Sequence, residues 1–555
     1  MTTESTDALN GPQINIFLVA HTNVGKTTLI RTLLGKDVGD IIDEPDATRA
    51  TTPYDLVVDA DAGALRLWDT PGFSDSFRLA RRLRQKHRWI AWAVRELWDR
   101  AFNKKLWRFQ RLAIDLRQRA SVILYPVNLQ ERPVDAVYVA PELEVLAWVG
   151  KPVLAILNQG GSQNGPGSDQ SRDQEWRSHL SDFPLVHGVV NLDAYTRCWL
   201  QELTLFGEIG QVLPEEQRAD YTRLASVLGQ TYADRFDASV AAIADYLLHL
   251  AGDKVELEAG WFDGIKDVWV SLRKSIPWGK PKSMTPFELA LQDLAQRYAD
   301  SSKAVTDRLI AINRLDGECA AEIVKAASTK LETDKPVDAG SATLFVGVIS
   351  GVLSGLGADL VSGGLTLGTG ALVGGVLGAT AAAALAKGYN VYTRKDKKVV
   401  GWSQDSLTEA FGKSLMLYLA VAHFGRGQGQ WRRKEDPQLW SAQLNLALNR
   451  YKVRLQGLWP GVTQNPRGAS AQSDCEALVR HTIRDVLLNL YPQTQALLPR
   501  NPGEAIRLAG QPDRASTGRA TCADATDATD AMPPDSGPHP LDSPDGAARR
   551  KLLIQ

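Results

Sequence analysis

The nine residues AHTNVGKTT at positions 20–28 constrain this 555-residue chain more than any others. A Gly-Lys-Thr loop binds an anion only when a strand leads into it and a helix leads out, because backbone N–H groups and the positive helix end must converge on one point. Both flanks comply. Ile14–Val19 is an apolar, β-branched run, and Leu29–Leu34 has helical spacing. The loop is therefore expected to wrap its N–H groups around a β-phosphate, with Lys26 reaching the β/γ oxygens and the Thr27 hydroxyl offered to Mg²⁺. His21, Thr22, Asn23, Val24, Gly25, Lys26, Thr27 and Thr28 are the candidate nucleotide-binding residues of the loop. Ala20 stands where the motif GxxxxGK[ST] has its first glycine, and His21 is read as stiffening the loop through a hydrogen bond.

A second motif follows 43 residues after Lys26. Trp68-Asp69-Thr70-Pro71-Gly72, preceded by the alternating run Leu65-Arg66-Leu67, looks like the third GTPase motif. In that motif the aspartate holds a Mg²⁺-bound water and the glycine N–H senses the γ-phosphate, a contact that hydrolysis removes. Asp69 and Gly72 take those places, and Gly72 joins Lys26 as a candidate catalytic residue. The next residue is Phe73, where Ras-like enzymes carry a glutamine that orients the attacking water, so unaided hydrolysis is expected to be slow.

The base-reading motif is incomplete. Strands are expected at Val122–Tyr125 and, after a helix over Pro141–Trp148, at Val153–Leu157, ending at Asn158. A GTPase ordinarily continues Asn-Lys-x-Asp, whose carboxylate takes two hydrogen bonds from guanine. Here Asn158 is followed by Gln159, Gly160 and Gly161. Asp193, after the run Val189–Leu192, either contributes a carboxylate or is a solvated strand end.

The formal net charge of −1 gives no whole-chain argument for nucleic acid, but it hides an asymmetry. Residues 73–120 hold fourteen Lys/Arg against four acids, with apolar residues such as Leu79, Leu83, Phe109, Leu112 and Leu116 near helical period and Trp89, Trp92, Trp98 and Trp107 interleaved. This is expected to be a helical insertion. It admits three readings: helices packed by their apolar stripe with arginines in solvent, a surface for anionic lipid headgroups, or a contact for RNA phosphate. No nucleic-acid module is recognisable, so no specific nucleic acid is expected. Cys198, Cys319, Cys475 and Cys522 are scattered without CxxC pairs, which fits a reducing cytosol, and MTTESTDALNGP carries no signal-peptide pattern.

Residues 206–340 read as an α-helical domain. From Ala342 to Ala386 the only charged residue is Asp359, and glycines recur at Gly347, Gly351, Gly355, then Gly364, Gly368, Gly370, Gly374 and Gly378. Such spacing puts glycines on one helix face and suits a tight hairpin, long enough to span a bilayer yet rich in Gly, Ala, Ser and Thr. Lys387, Arg394, Lys395, Lys397 and Lys398 would flank it on the cytosolic side; the other reading is a buried hairpin. Residues 388–500 read as a helical domain with Trp402, Trp431, Trp440 and Trp459 as anchors, and residues 1–12 and 501–555 as disordered.

The runs HTNVGKTTLIRTL, ELEVLAWVGKPVLAILN and GADLVSGGLTLG together resemble a family of bacterial Era-like GTPases with a C-terminal domain of unknown function. The resemblance implies an α/β P-loop G domain over about 13–205, mostly parallel in its sheet, followed by a mainly α-helical region, with GTP/GDP as ligand and Mg²⁺ as cofactor. By resemblance Glu44–Arg49 corresponds to switch I and Thr48 closes on Mg²⁺ with Thr27 and Asp69; Thr51 and Thr52 lie close enough to take its place. Asn23 corresponds to the asparagine that helps bind K⁺ in such relatives, or it only shapes the loop. Ala20, Asp46-Ala47 and the basic insertion depart from the pattern. The expected function is a slow Mg²⁺-dependent GTPase switch, cytoplasmic or at the inner face of the membrane, with an unidentified protein effector. The alternative is a non-hydrolysing scaffold that assembles through the glycine-rich hairpin.

Overall fold

The computed structural model describes residues 12–22, 24–36, 38, 51–59, 63–73, 76–84, 104–160, 166–192, 198–258, 286–315, 389–394, 397–423 and 437–508. Asn23, the segment around Thr48, residues 85–103, Asp193, the glycine-rich run 342–386 and Trp431 lie outside them.

The N-terminal part is a six-stranded sheet in the order β2-β3-β1-β4-β5-β6. Its strands are β1 (Gln13–Leu18), β2 (Thr52–Asp59), β3 (Gly63–Asp69), β4 (Val122–Asn128), β5 (Val153–Asn158) and β6 (Val186–Asn191). All neighbours pair in parallel except β2, which runs antiparallel to β3. The central strands are continuous apolar runs because both faces are covered. Their side chains divide by the strand period of two: Ile14, Ile16 and Leu18 enter one core, and Phe17 enters the other.

Helix α1 (Lys26–Leu34) leaves the phosphate loop. Around the other core lie α2 (Ser76–Arg84), α3 (Lys104–Arg119), α4 (Val139–Val149) and α5 (Pro166–Ser181). The expected basic insertion is thus helical in its described parts, with Leu79, Phe109, Leu112 and Leu116 buried against the G domain. Arg78, Arg81, Arg108, Arg111, Arg117 and Arg119 remain exposed.

The opposite face of the sheet is covered by α6 (Trp199–Val212) and by α7 (Glu215–Gly252), which packs on β2 and β3. Glu215 and Glu216 in the first turn of α7 suit the positive helix end, and the helix continues for 38 residues, about 57 Å at 1.5 Å per residue. Against α7 fold α8 (Pro286–Ile312), α9 (Gln404–Ala422), α10 (Pro437–Gln464) and α11 (Ala469–Leu490). One hydrophobic core runs without a break from Ile14 and Leu65 in the sheet through Phe236 in α7 to Trp459 and Val479 in the last helices.

The C-terminal half is mainly helical, as expected, and departs from the sequence reading in two places. The chain is not wholly helical between 206 and 500. Strands β7 (Lys254–Glu258), β8 (Tyr389–Arg394) and β9 (Lys397–Trp402) form an antiparallel sheet in the order β7-β9-β8. Arg394, Lys397 and Lys398 lie at the turn end of this hairpin, with Leu257 opposite Lys398 and Glu258 opposite Lys397. The alternation of β-branched and aromatic residues in YNVYTR and KKVVGW outweighs the basic composition. Residues 501–508, assigned by composition to the tail, are packed: Ile506 and Leu508 are buried, and the Gly503 N–H donates to Asp237 Oδ2 at 2.7 Å. Gly229 in α7 permits this approach, since a Cβ there would lie 2.4 Å from the Ile506 carbonyl oxygen. No described helix is long and apolar enough to cross a membrane.

Candidate nucleotide site

The carboxyl ends of β1, β3, β4 and β5 bring the sequence motifs together, as expected where an open α/β sheet binds a ligand. Gly25 caps α1 in the left-handed region at φ 86°, and a Cβ there would lie 2.9 Å from Asn158 Nδ2. Glycine is thus required on both conformational and steric grounds. Asn158 is fully buried and donates from Nδ2 to the Val24 carbonyl at 2.7 Å, so the end of β5 braces the phosphate loop across 134 residues. The residue after it, Gln159, holds φ 58° without being glycine.

Lys26 is nearly buried, and its Nζ donates to the carbonyls of Ala20 at 3.1 Å and His21 at 2.8 Å. The Thr27 hydroxyl donates to Asp69 Oδ2 at 2.8 Å, while Asp69 Oδ1 is buried without a hydrogen-bond partner. Burial holds the Asp69 carboxyl above the usual carboxylate range, against the Thr27 hydrogen bond and the Lys26 charge that lower it. A hydroxyl and a buried carboxylate with a spare oxygen are the hard donors Mg²⁺ prefers, so these two residues fit the ion.

The DTPG segment is fixed to the loop through backbone. The Phe73 N–H donates to the Ala20 carbonyl at 2.9 Å. A Cβ on Gly72 would lie 2.7 Å from the Thr22 methyl and 3.0 Å from Lys26 Nζ, so this backbone passes too close to the loop for any side chain. Phe73 itself is buried, its ring 5.3 Å from that of Phe109 on α3. The other side of the motif is covered as well: the Arg119 guanidinium of α3 lies 4.1 Å from the Trp68 ring centroid.

Three residues of the site escape the sequence motifs. His21 Nδ1 is 2.8 Å from Glu142 Oε1, and the Tyr125 hydroxyl donates to Glu142 Oε2 at 2.7 Å. Tyr138 stacks on the His21 ring with centroids 4.1 Å apart. Glu142 has no exposed surface, and burial pushes its carboxyl up, while the hydrogen bonds from His21 and Tyr125 and the Lys26 charge pull it down. A signal for Glu142 is present in the sequence. Val139, Leu143, Leu146 and Val149 line one buried helix face at 3.6 spacing, and Glu142 shares that face.

Residues 15–159 match the family described as 50S ribosome-binding GTPase, and residues 331–486 match a domain of unknown function (DUF3482). No curated protein matches the chain. Among solved structures, an Aquifex aeolicus Era variant bound to GDP·AlF4⁻ is 21% identical, covering 37% of this chain and 57% of its own, with a TM-score of 0.27. The bacterial selenocysteine-specific elongation factor EF-Sec is 17% identical, covering 32% of this chain and 25% of its own, with a TM-score of 0.21. The chain thus spans less than two thirds of either protein.

Proposed function

We propose that this chain, an Era-like P-loop GTPase joined to a C-terminal domain of unknown function, is a slow Mg²⁺-dependent GTP switch that reports its nucleotide state through the basic helix α3. The reaction is attack of water on the γ-phosphorus of GTP, giving GDP and phosphate. Lys26 binds the β/γ oxygens in exchange for its two carbonyl contacts, and the Gly72 N–H meets the γ-phosphate. Thr27 and Asp69, with Thr48 from switch I or Thr51 or Thr52 in its place, would hold Mg²⁺, which when bound would neutralise charge on the transferring phosphoryl group. Phe73 is turned into the core and carries no group that could orient water, which supports slow turnover.

The observation that carries the switch reading is the grip of α3 on both ends of the DTPG segment, by Phe109 on Phe73 and by Arg119 on Trp68. A shift of Gly72 toward a γ-phosphate moves Phe73 and so bears directly on α3. Phosphate release from GTP tests the reading. Turnover should be slow, Mg²⁺-dependent and faster in K⁺ than in Na⁺, the gain being lost in Asn23→Ala if that residue helps hold K⁺. Binding of GTP without phosphate release in either salt would favour a non-hydrolysing scaffold.

The exposed faces of α2 and α3 support an anionic membrane surface as the place of action. Arg78, Arg81, Arg108 and Arg111 are exposed, and Phe77 beside them is 54% exposed, an apolar side chain placed to enter a headgroup layer. Each basic residue near such a surface contributes about 1 kcal/mol, screened over about 10 Å at 0.1 M salt. Vesicles rich in phosphatidylserine should therefore bind the protein at low salt and release it at high salt, and Arg108→Glu with Arg111→Glu should weaken capture at least about tenfold. Failure to bind at low salt would remove the membrane from the proposal.

A further inference from the structure

The hydrolysis reading uses Lys26, Thr27, Asp69 and Gly72 but leaves a buried ionisable pair unexplained beside them. Glu142 is fully buried between two partners, Tyr125 on one oxygen and His21 on the other. The His21 side chain is 32% exposed, and its own carbonyl accepts from Lys26 Nζ at 2.8 Å. A histidine–carboxylate pair therefore adjoins the ammonium group that would meet the phosphates.

We propose that the His21–Glu142 pair links triphosphate binding to proton uptake, and that Glu142 is a positioning residue that holds His21 and the loop in register. The inference rests on nucleotide binding at this loop. Among the described residues the groups facing the pair are Lys26 from α1, the Tyr125 hydroxyl from β4, and Tyr138, whose hydroxyl donates to Glu131 Oε2 at 2.8 Å. Burial holds both tyrosines well above their usual range, so they stay neutral donors. Lys26 is thus the nearby cation that favours the Glu142 anion.

Binding of a triphosphate changes the field at the pair in one direction. The Lys26 charge is neutralised by the phosphate, and further negative charge arrives on the loop that carries His21. Both changes favour a proton on the pair, as imidazolium or as carboxylic acid. The bound state then holds more protons than the free state, so affinity rises as pH falls. The change reaches at most about tenfold per pH unit for one whole proton.

The test is calorimetric titration of the full-length protein with Mg²⁺ and a β,γ-imido GTP analogue, at neutral pH, in two buffers of different ionisation enthalpy. Glu142→Gln and His21→Asn run in parallel subtract protons contributed by the nucleotide itself. Proton uptake by the parent protein should exceed that of both variants, and its affinity should climb more steeply from pH 8 to pH 6. Equal uptake and parallel pH profiles in all three would overturn the proposal while leaving nucleotide binding intact. No binding by the parent protein would overturn the nucleotide reading and this proposal with it. If Glu142→Gln does not fold, His21→Asn decides alone, since its partly exposed ring can be replaced without opening the core.

Discussion

Lys26→Ala should abolish GTP binding in calorimetry. Hydrogen bonds to charged groups contribute about 1.5–3 kcal/mol each, so a lysine serving two phosphate oxygens contributes about 3–6 kcal/mol, a loss of at least about 100-fold in affinity. The side chain is 7% exposed and already aimed at the loop by the Ala20 and His21 carbonyls, so no ordering remains to be done when phosphate arrives. Thr27→Ala should remove the dependence of affinity on Mg²⁺, because it deletes the hydroxyl that meets Asp69. Titrations with ATP beside GTP read the base site, where Gly161 supplies no carboxylate and selectivity for guanine should be weak. Parent-like affinity in both variants would place nucleotide binding elsewhere or nowhere.

Trp459→Ala should destabilise the whole described unit by about 3–5 kcal/mol, the range for a buried large-to-small change. Trp459 has no exposed surface, and its indole N–H donates to Thr408 Oγ1 at 2.9 Å. Its core is continuous with that of the sheet, so a single unfolding transition should move as one and the nucleotide-binding domain should melt with it. Two transitions, only one of them shifted by the substitution, would show that the G domain is thermodynamically separate.

The local half of this architecture could be read from the sequence. The strand-loop-helix around Gly25, the DTPG strand end and the strand closing at Asn158 all depend on spacing within short segments. What Asn158 does there, bracing Val24, depends on residues 134 apart. The His21–Glu142 pair joins positions 121 apart, and nothing in either neighbourhood names the other. The β8–β9 hairpin was obscured by a different cause, since its lysines continue the charge pattern expected beside an apolar run. Phe73 was legible as an absent glutamine but not as an anchor for α3, because the identity of its neighbour Phe109 follows only from how the insertion folds back.

The way the last helices close on α7 bears on how the protein is made. Trp199 of α6 meets Tyr418, Arg480 pairs with Asp237, and Cys475 lies against the Ala244 carbonyl, each across more than 200 residues. At about 5–20 residues per second, the interval between the synthesis of α7 and that of α11 is about 10–50 s. During that time α8, α9 and α10 emerge in turn, and the part of the apolar side of α7 that α11 covers stays open until the last. A ribosome producing this protein must therefore carry a long, incompletely covered helix until residue 490 emerges, which makes nascent chains a natural client for a holding chaperone and places the hazard of aggregation before the nucleotide site is ever used.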